Sequence, residues 1–265
     1  FAIGAASHGS QRWISIGPFS LQPSELAKIG IILFLAAYIS SKSREMRQWK
    51  KMVIPFLFAI PIIVIVGIEN LSTFIMIFVV TPLLVPFVVI GLIGVAGAGG
   101  LLLTQGYRME RITVWLDPAA SEKGHQTIQG LYAIGSGGLF GKGLGQSMQK
   151  LGFLPEANND MIFSVICEEL GLFGALCVLA LFFALIWRFM VIAVNAPDLY
   201  GSMIVVGVIA HIGIQVFINI AVATNTIPNT GIPLPFISYG GSSLVFMLLE
   251  MGLVLSVSRY INVKK

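Results

Sequence analysis

IFSVICEELGLFGALCVLALFFALIW, residues 162–187, is the stretch that decides the fold. It carries no charged residue between Leu170 and Trp187. A helix needs about 20 apolar residues to cross the hydrocarbon core of a bilayer, so this stretch predicts a transmembrane helix. The whole chain agrees, because 56% of its 265 residues are hydrophobic, 11% are charged and the mean hydropathy is +0.90. Soluble domains carry about 25% charged residues to cover a water-facing surface, so a soluble fold is excluded.

Further apolar stretches extend the pattern to seven predicted spans. Leu26–Ile39 and Val53–Gly67 precede the deciding stretch, and Tyr200–Ala223 and Ser243–Val257 follow it. The uncharged stretch Leu71–Thr104 is too long for one span, and its two prolines divide it into two helices joined by a turn. We therefore predict an all-α polytopic transmembrane helix bundle that forms a single domain over residues 1–265.

The distribution of charge predicts the orientation in the membrane. Five basic residues and one acidic residue lie between Ser40 and Met52, which is typical of a cytoplasmic loop. Counting spans from there places Arg188 and the C-terminus on the cytoplasmic side, and residues 105–160 in one long extracytoplasmic loop. Phe1–Ser20 then begins outside, so we expect earlier helices that are absent from this sequence.

Polar residues at the start of the first span suggest chemistry. Gln22, Pro23, Ser24 and Glu25 suit the first turn of a helix, with the acid at its positive end. Lys28 follows Glu25 by three residues and already lies among apolar residues, where an ionisable pair is costly and indicates function. A capped interfacial helix, with Trp13 as a membrane anchor, is the structural alternative.

Asp160 is the candidate general base. It lies just before the deciding stretch, at the predicted start of a helix, where the dipole favours an acid for structural reasons alone. The same position puts a partly desolvated carboxylate at the water–lipid boundary beside Lys150 and Glu156, and such surroundings tune a general base. Glu168 and Glu169 cannot both share its helix face, so we interpret them as buried partners for helix packing or coupling.

Three further features have a structural and a functional interpretation. The run Gly135–Gly145 is either a phosphate cradle or a turn that packs against the membrane. His211, Gln215 and Asn219 recur every four residues, which indicates interhelical hydrogen bonds, with a proton or substrate path as the alternative. The loop Asn225–Ser243 holds three prolines and three glycines, and we predict that it lines a cavity.

These strings together resemble the SEDS family (shape, elongation, division, sporulation), whose best-known members are the FtsW and RodA types. They occur in the family's order and cover nearly the whole chain. The matching strings are Gln11-Arg12-Trp13-Ile14, Gln22-Pro23-Ser24-Glu25, Gly135–Gly145, Leu154-Pro155-Glu156 with Asp160, Glu168-Glu169-Leu170-Gly171, and Gly231–Ser243.

The resemblance, closest to the FtsW type, implies a fold of ten helices, of which about three are absent here. It implies a glycosyltransferase that polymerises lipid II into glycan strands at the outer face of the bacterial plasma membrane and releases undecaprenyl diphosphate. Asp160 matches the family's essential aspartate, and Trp13 matches a tryptophan required for activity. Asn158 and Asn159 stand where family members often have His-Thr. The candidate substrate-binding residues are Arg12, Trp13, Gln22, Ser24, Glu25, Lys28, Lys150, Glu156, Ser238 and Tyr239.

The resemblance also implies a cofactor and partners. Polymerase activity in the family depends on a divalent metal, so we expect Mg²⁺ or Mn²⁺, with Asp160, Glu156 or Glu25 as ligands. The expected partners are lipid II, undecaprenyl-linked glycan, a class B penicillin-binding transpeptidase, and divisome or elongasome proteins. Nucleic acid is not expected as a partner, because the net charge is only +4.

Two rival functions remain open from the sequence. A flippase that moves lipid II across the bilayer is favoured by the intramembrane polar residues and by the broken Leu71–Thr104 segment. The titratable residues, however, gather at the outer boundary rather than the bilayer midplane. A scaffold that only recruits a transpeptidase would tolerate substitution of Asp160 and Trp13.

Overall fold

The computed structural model describes residues 5–7, 10–16, 19–43, 106–121 and 124–261. Two predicted pieces, Val53–Gly67 and Leu71–Thr104, therefore lie outside the described residues. The count of seven spans stays a prediction.

Four described helices are long and apolar enough to cross a membrane. They are Pro23–Ser41 (α1), Ile162–Val194 (α4), Leu199–Ala223 (α5) and Gly241–Arg259 (α6). Each contains a span predicted from the sequence. The ends at Ile162 and Ala223 coincide with the prediction, and the structure extends the other ends by one to seven residues. The prediction of a helical transmembrane bundle is confirmed for these segments. Because a helix satisfies every backbone polar group within the segment, it is the form that an isolated apolar span takes in lipid.

A short antiparallel sheet precedes α1 and departs from the all-α prediction. Its strands are Ala5–Ser7 (β1), Ser10–Ile16 (β2) and Phe19–Leu21 (β3), in the order β1-β2-β3. Ile14 pairs with Leu21 and Ile16 with Phe19, which leaves a two-residue connection between β2 and β3. Strands of three to seven residues are not detected by a search for apolar spans of about 20 residues.

The predicted extracytoplasmic loop contains helices of its own. Gly106–Leu116 (α2) and His125–Gly137 (α3) are α-helices, and single 3-10 turns occur at Pro118–Ala120 and Gln149–Leu151. Short helices are compatible with a connection outside the membrane, and the extracytoplasmic position of residues 105–160 stays a prediction.

The chain divides into two compact units. The first contains residues 1–98, 186–212 and 241–265, and the second contains residues 99–185 and 213–240. In the first unit, α1 lies against α6, and a β-carbon on Gly207 of α5 would lie 2.6 Å from Cγ2 of Ile32 in α1. His211 of α5 contacts Glu250 of α6 through Nδ1–Oε1 at 2.8 Å, and both side chains are buried. This contact confirms the predicted interhelical bond at His211.

In the second unit, α4 breaks at Gly171, whose φ of 67° and ψ of −166° are not helical. A break leaves unpaired carbonyls before it and unpaired N–H groups after it. The glycine run supplies the partners: the N–H groups of Lys142 and Gly143 donate to the carbonyls of Glu168 and Glu169. In return, the N–H groups of Leu172 and Phe173 donate to the carbonyls of Gly138 and Leu139.

Candidate active site

Asp160 lies two residues before the first residue of α4 and is buried, with 7% of its surface exposed. The sequence placed it in the first helical turn, and the structure places it in the turn just outside. Asp160 thus lies next to the N-terminal end of α4, which is the positive end of the helix dipole. A nearly buried carboxyl at the end of an apolar helix is the main chemical feature of the second unit.

Two residues that the sequence did not single out act on the Asp160 carboxyl. Gln126 of α3 donates from Nε2 to both carboxyl oxygens, at 3.3 and 3.4 Å. Arg111 of α2 interacts with Asp160 electrostatically, and its Nη1 donates to the carbonyl of Asn229 at 2.8 Å. Neither residue has a local sequence signal, because both reach Asp160 only through tertiary folding.

The pKa of Asp160 is raised from its ordinary 3.8 to about 6. Burial is the main cause, because it disfavours the ionised form, and the negative charge of Glu156 adds to it. Hydrogen bonds from its own backbone N–H and from Gln126, together with the charge of Arg111, pull the pKa down by smaller amounts. The result is a carboxyl that titrates close to neutral pH.

Glu156 and the residues around it form a tight turn before Asp160. Glu156 has a positive φ of 53°, which is uncommon for a residue other than glycine. Its Oε2 accepts a hydrogen bond from Nδ2 of Asn159. The predicted neighbours Glu156 and Asp160 are therefore brought together.

The last predicted loop packs directly onto the Asp160 segment. Oγ of Ser238 donates to the carbonyl of Asn159 at 2.6 Å, and the N–H of Tyr239 donates to the carbonyl of Asn158 at 2.8 Å. The Tyr239 side chain is 82% exposed. A β-carbon built on Gly231 would lie 4.0 Å from Oδ2 of Asp160, so this loop borders the carboxyl itself. Whether the loop lines a cavity stays a prediction.

Lys150 contacts a different acid from the one the sequence suggested. Its Nζ lies 2.5 Å from Oε1 of Glu169, so the structure pairs it there rather than with Asp160. Glu168 is fully buried and pairs with Lys142 at 2.7 Å, while Oγ of Ser147 donates to its Oε2 at 2.5 Å. The interpretation as a buried partner is confirmed for Glu168, whereas Glu169 is only half-buried. Both pair with lysines of residues 142–150 rather than with another α-helix, so the predicted role in helix packing is wrong.

The phosphate-cradle interpretation of the glycine run is wrong. The N–H groups of Gly141, Lys142 and Gly143 donate to carbonyls of the protein, and that of Gly145 donates to Oε2 of Glu169. Backbone donors committed within the protein cannot also hold a phosphate. From Gly138 onward the run is a turn that packs on the break in α4, whereas residues 135–137 belong to α3. The predicted packing of the turn against the membrane stays a prediction.

The candidates before and within α1 lie in the first unit. Pro23 occupies the first turn of the helix, as predicted, and Glu25 pairs with Lys28 at 2.7 Å, with both side chains buried. Gln22 is the N-cap residue but makes no side-chain capping bond, and Oγ of Ser24 has no hydrogen-bond partner within the described residues. The backbone of Arg12 and Trp13 belongs to β2.

The described residues do not offer a metal site made by protein side chains alone. They contain no group of three or more His, Cys, Asp or Glu side chains that could hold an ion. Asp160 and Glu156 supply two neighbouring carboxylates but no third donor in the described part of the chain. The expectation of a divalent metal stays a prediction.

Four apolar helices and a buried carboxyl at the end of one of them define a multi-pass membrane protein with a candidate acid–base site. Comparison with known proteins identifies its family. The chain matches the FtsW/RodA/SpoVE family, described as cell cycle protein, over residues 1–263. This chain belongs to that family.

Several relatives and solved structures are similar over almost the whole chain. Stage V sporulation protein E of Bacillus subtilis (strain 168) is 47% identical, over 97% of this chain and 74% of the relative. A protein of Geobacter sp. (strain M18) named "Probable peptidoglycan glycosyltransferase FtsW" is 36% identical, over 97% of this chain and 73% of the relative.

Two solved structures share the fold. A chain of a peptidoglycan synthase complex, studied for the coordination of polymerization and crosslinking, has a TM-score of 0.77 at 28% identity, covering 99% of this chain and 77% of its own. The crystal structure of the rod shape determining protein RodA of Thermus thermophilus has a TM-score of 0.69 at 28% identity. The match covers 98% of this chain and 73% of RodA.

Proposed function

We propose that this chain is a peptidoglycan glycosyltransferase of the plasma membrane, which polymerises lipid II into glycan strands and releases undecaprenyl diphosphate. The observation that carries the proposal is the buried carboxyl of Asp160, with a pKa of about 6, at the end of a membrane helix. Membership of the FtsW/RodA/SpoVE family and relatives named as peptidoglycan glycosyltransferases support it.

In the proposed reaction, Asp160 is the general base. Its carboxylate accepts the proton of the 4-hydroxyl of an incoming disaccharide while that oxygen attacks the anomeric carbon of the growing strand. The bond between that carbon and the diphosphate breaks, and the diphosphate departs with the electron pair. A general base must be deprotonated at the working pH, which requires a pKa that is not too high. It must also be basic enough to accept a proton, which requires a pKa that is not too low, so a pKa near the working pH is best.

The leaving diphosphate needs positive charge. Arg111 supports this role in the second unit, because its charge already reaches Asp160. Arg12 and Lys28 are the predicted cations of the first unit. Lys150 is a weaker candidate, because it is paired with Glu169.

The test is polymerisation of purified lipid II by the purified protein in detergent. Asp160→Asn is expected to lower the rate at least about 100-fold, the lower bound for general acid–base catalysis. It should not lower thermal stability, because ionised Asp160 is itself costly in the folded state. Asp198→Asn, which changes an exposed acid at the start of α5, is the matched control and should retain activity.

A folded Asp160→Asn protein that polymerises at the parental rate would contradict this role. The same assay separates the rivals, because neither a flippase nor a scaffold makes polymer in detergent. The amides of Gln215 and Asn219 donate to carbonyls outside the helices within the second unit, so the predicted interhelical hydrogen bonds are wrong at these two residues. The same contacts give no support to a path through the membrane.

We also propose a transpeptidase partner and a metal requirement. The similar chain from a peptidoglycan synthase complex supports a class B penicillin-binding protein as partner, together with division or elongation proteins. Site-specific photocrosslinking in cells, followed by detection of bound β-lactam label, tests the partner. Removal of divalent ions with EDTA, followed by addition of Mg²⁺ or Mn²⁺, tests the metal.

A further inference from the structure

We propose that Asn219 is a positioning residue for Asp160. Asn219 holds the backbone of the catalytic segment, residues 158–160, against α5 and the loop 231–239. The proposal rests on the proposed function, because it gives Asn219 a part in the same reaction. Asn219 does not touch the reacting atoms and acts through Asp160.

The geometry of the Asn219 amide carries the proposal. Its side chain is fully buried, and Nδ2 donates to the carbonyl of Asp160 at 2.8 Å and to the carbonyl of Ile232 at 2.8 Å. The NH₂ group has two hydrogens, so both are used. One side chain of a membrane helix thus joins the catalytic segment to the neighbouring loop.

Asn219 completes a row of three contacts along consecutive residues. The carbonyls of Asn158, Asn159 and Asp160 accept in turn from the N–H of Tyr239, Oγ of Ser238 and Nδ2 of Asn219. Ser238 is fixed in its turn, because its Oγ accepts from the N–H of Leu234 at 2.7 Å. The Asp160 backbone is therefore held by a loop and a helix that are distant in sequence.

This anchoring matters for rate because proton transfer depends on position. A displacement of about 1 Å at a reacting group costs on the order of 100-fold in rate. Without Asn219, two buried carbonyls lose their donor, and the segment relaxes toward water to satisfy them. The carboxyl of Asp160 then moves with its backbone.

Gln215 offers a matched control one helical turn earlier. It is equally buried, and its Nε2 donates to the carbonyl of Pro233 at 2.9 Å, in the same loop. No described hydrogen bond joins it to residues 158–160. Gln215→Leu therefore removes a loop anchor of the same kind without releasing Asp160.

The experiment compares Asn219→Leu, Asn219→Ser, Asn219→Gln and Gln215→Leu in the complete protein. Lipid II polymerisation is measured against substrate concentration and pH, together with thermal stability. We expect Asn219→Leu to lower kcat about 100-fold with KM nearly unchanged, because Asn219 touches no substrate. The acidic limb of its pH profile should move below the parental value, since a more solvated Asp160 has a lower pKa.

The other variants decide between a positioning and a merely structural role. Asn219→Gln keeps the donors and should recover at least tenfold over Asn219→Leu, and Gln215→Leu should keep the parental pH profile. If Asn219→Leu does not fold, Asn219→Ser, which keeps one donor, gives the same test. A folded Asn219 variant with parental kcat and pH profile, or an equal loss of kcat in Gln215→Leu, overturns the inference. If the parent protein makes no polymer, the proposed function fails instead.

Discussion

The ionised form of Asp160, which the proposed reaction uses, destabilises the fold. Its folded pKa of about 6 lies above the ordinary 3.8. Because the folded pKa is the higher one, protonation of Asp160 favours the fold, and this stabilisation is complete below pH 3.8 and is lost as the pH rises through 6. At neutral pH the difference between the two pKa values corresponds to a loss of about 3 kcal/mol in the free energy of unfolding. A residue that destabilises the fold when ionised is typical of a site kept for chemistry.

Activity is predicted to fall as the pH drops through about 6, because a general base must be deprotonated. Glu156→Gln removes a negative charge that raises the pKa of Asp160, so the acidic limb should move to lower pH. Gln126→Leu removes a hydrogen bond to the ionised form, so the limb should move to higher pH. The measurement is the lipid II polymerisation rate between pH 5 and 8. If the acidic limb lies at the same pH in the parent protein, Glu156→Gln and Gln126→Leu, the assignment of this titration to Asp160 is contradicted.

At the scale of elements, the break in α4 joins the glycine run to the membrane helix. A β-carbon on Gly171 would lie 2.4 Å from the backbone nitrogen of Gly141, and one on Gly137 would lie 1.9 Å from the carbonyl oxygen of Cys167. Such close approach of two backbones allows the run to satisfy the polar groups that the break exposes. The salt bridges of Glu168 and Glu169 hold the same turn on α4.

Gly171→Ala is therefore predicted to destabilise the protein by more than about 2 kcal/mol, because its backbone region is nearly restricted to glycine and its neighbours are backbone atoms. A loss of that size lowers the melting temperature in detergent by about 5 °C or more. Gly135→Ala is the matched control. A β-carbon there meets nothing within 4 Å, and alanine favours the helix α3, so stability should stay equal or rise. Equal melting temperatures for both variants would refute the role given to the break.

At the scale of the whole molecule, the charge distribution predicts an extracytoplasmic active site and a cytoplasmic C-terminus. Leu144→Cys and Tyr260→Cys replace exposed residues near the two predicted faces, in a background where Cys167 and Cys177 are changed to serine. A membrane-impermeant maleimide added to intact spheroplasts should label the first position and not the second. Permeabilisation should expose the second. The reverse pattern would place Asp160 on the side where no glycan is polymerised.

Composition and local spacing were enough to predict the membrane class, four of the helices, the Glu25–Lys28 pair and the position of Asp160 beside Glu156. These features depend on composition, local spacing and helical periodicity, all of which can be read from a single sequence. Three sets of contacts required the folded structure: Gln126 and Arg111 act on the Asp160 carboxyl, Lys150 pairs with Glu169, and Asn219 bonds to the Asp160 backbone. The physical reason is that these contacts join residues 19 to 59 positions apart, and no local pattern encodes which of several polar side chains will meet once the helices pack.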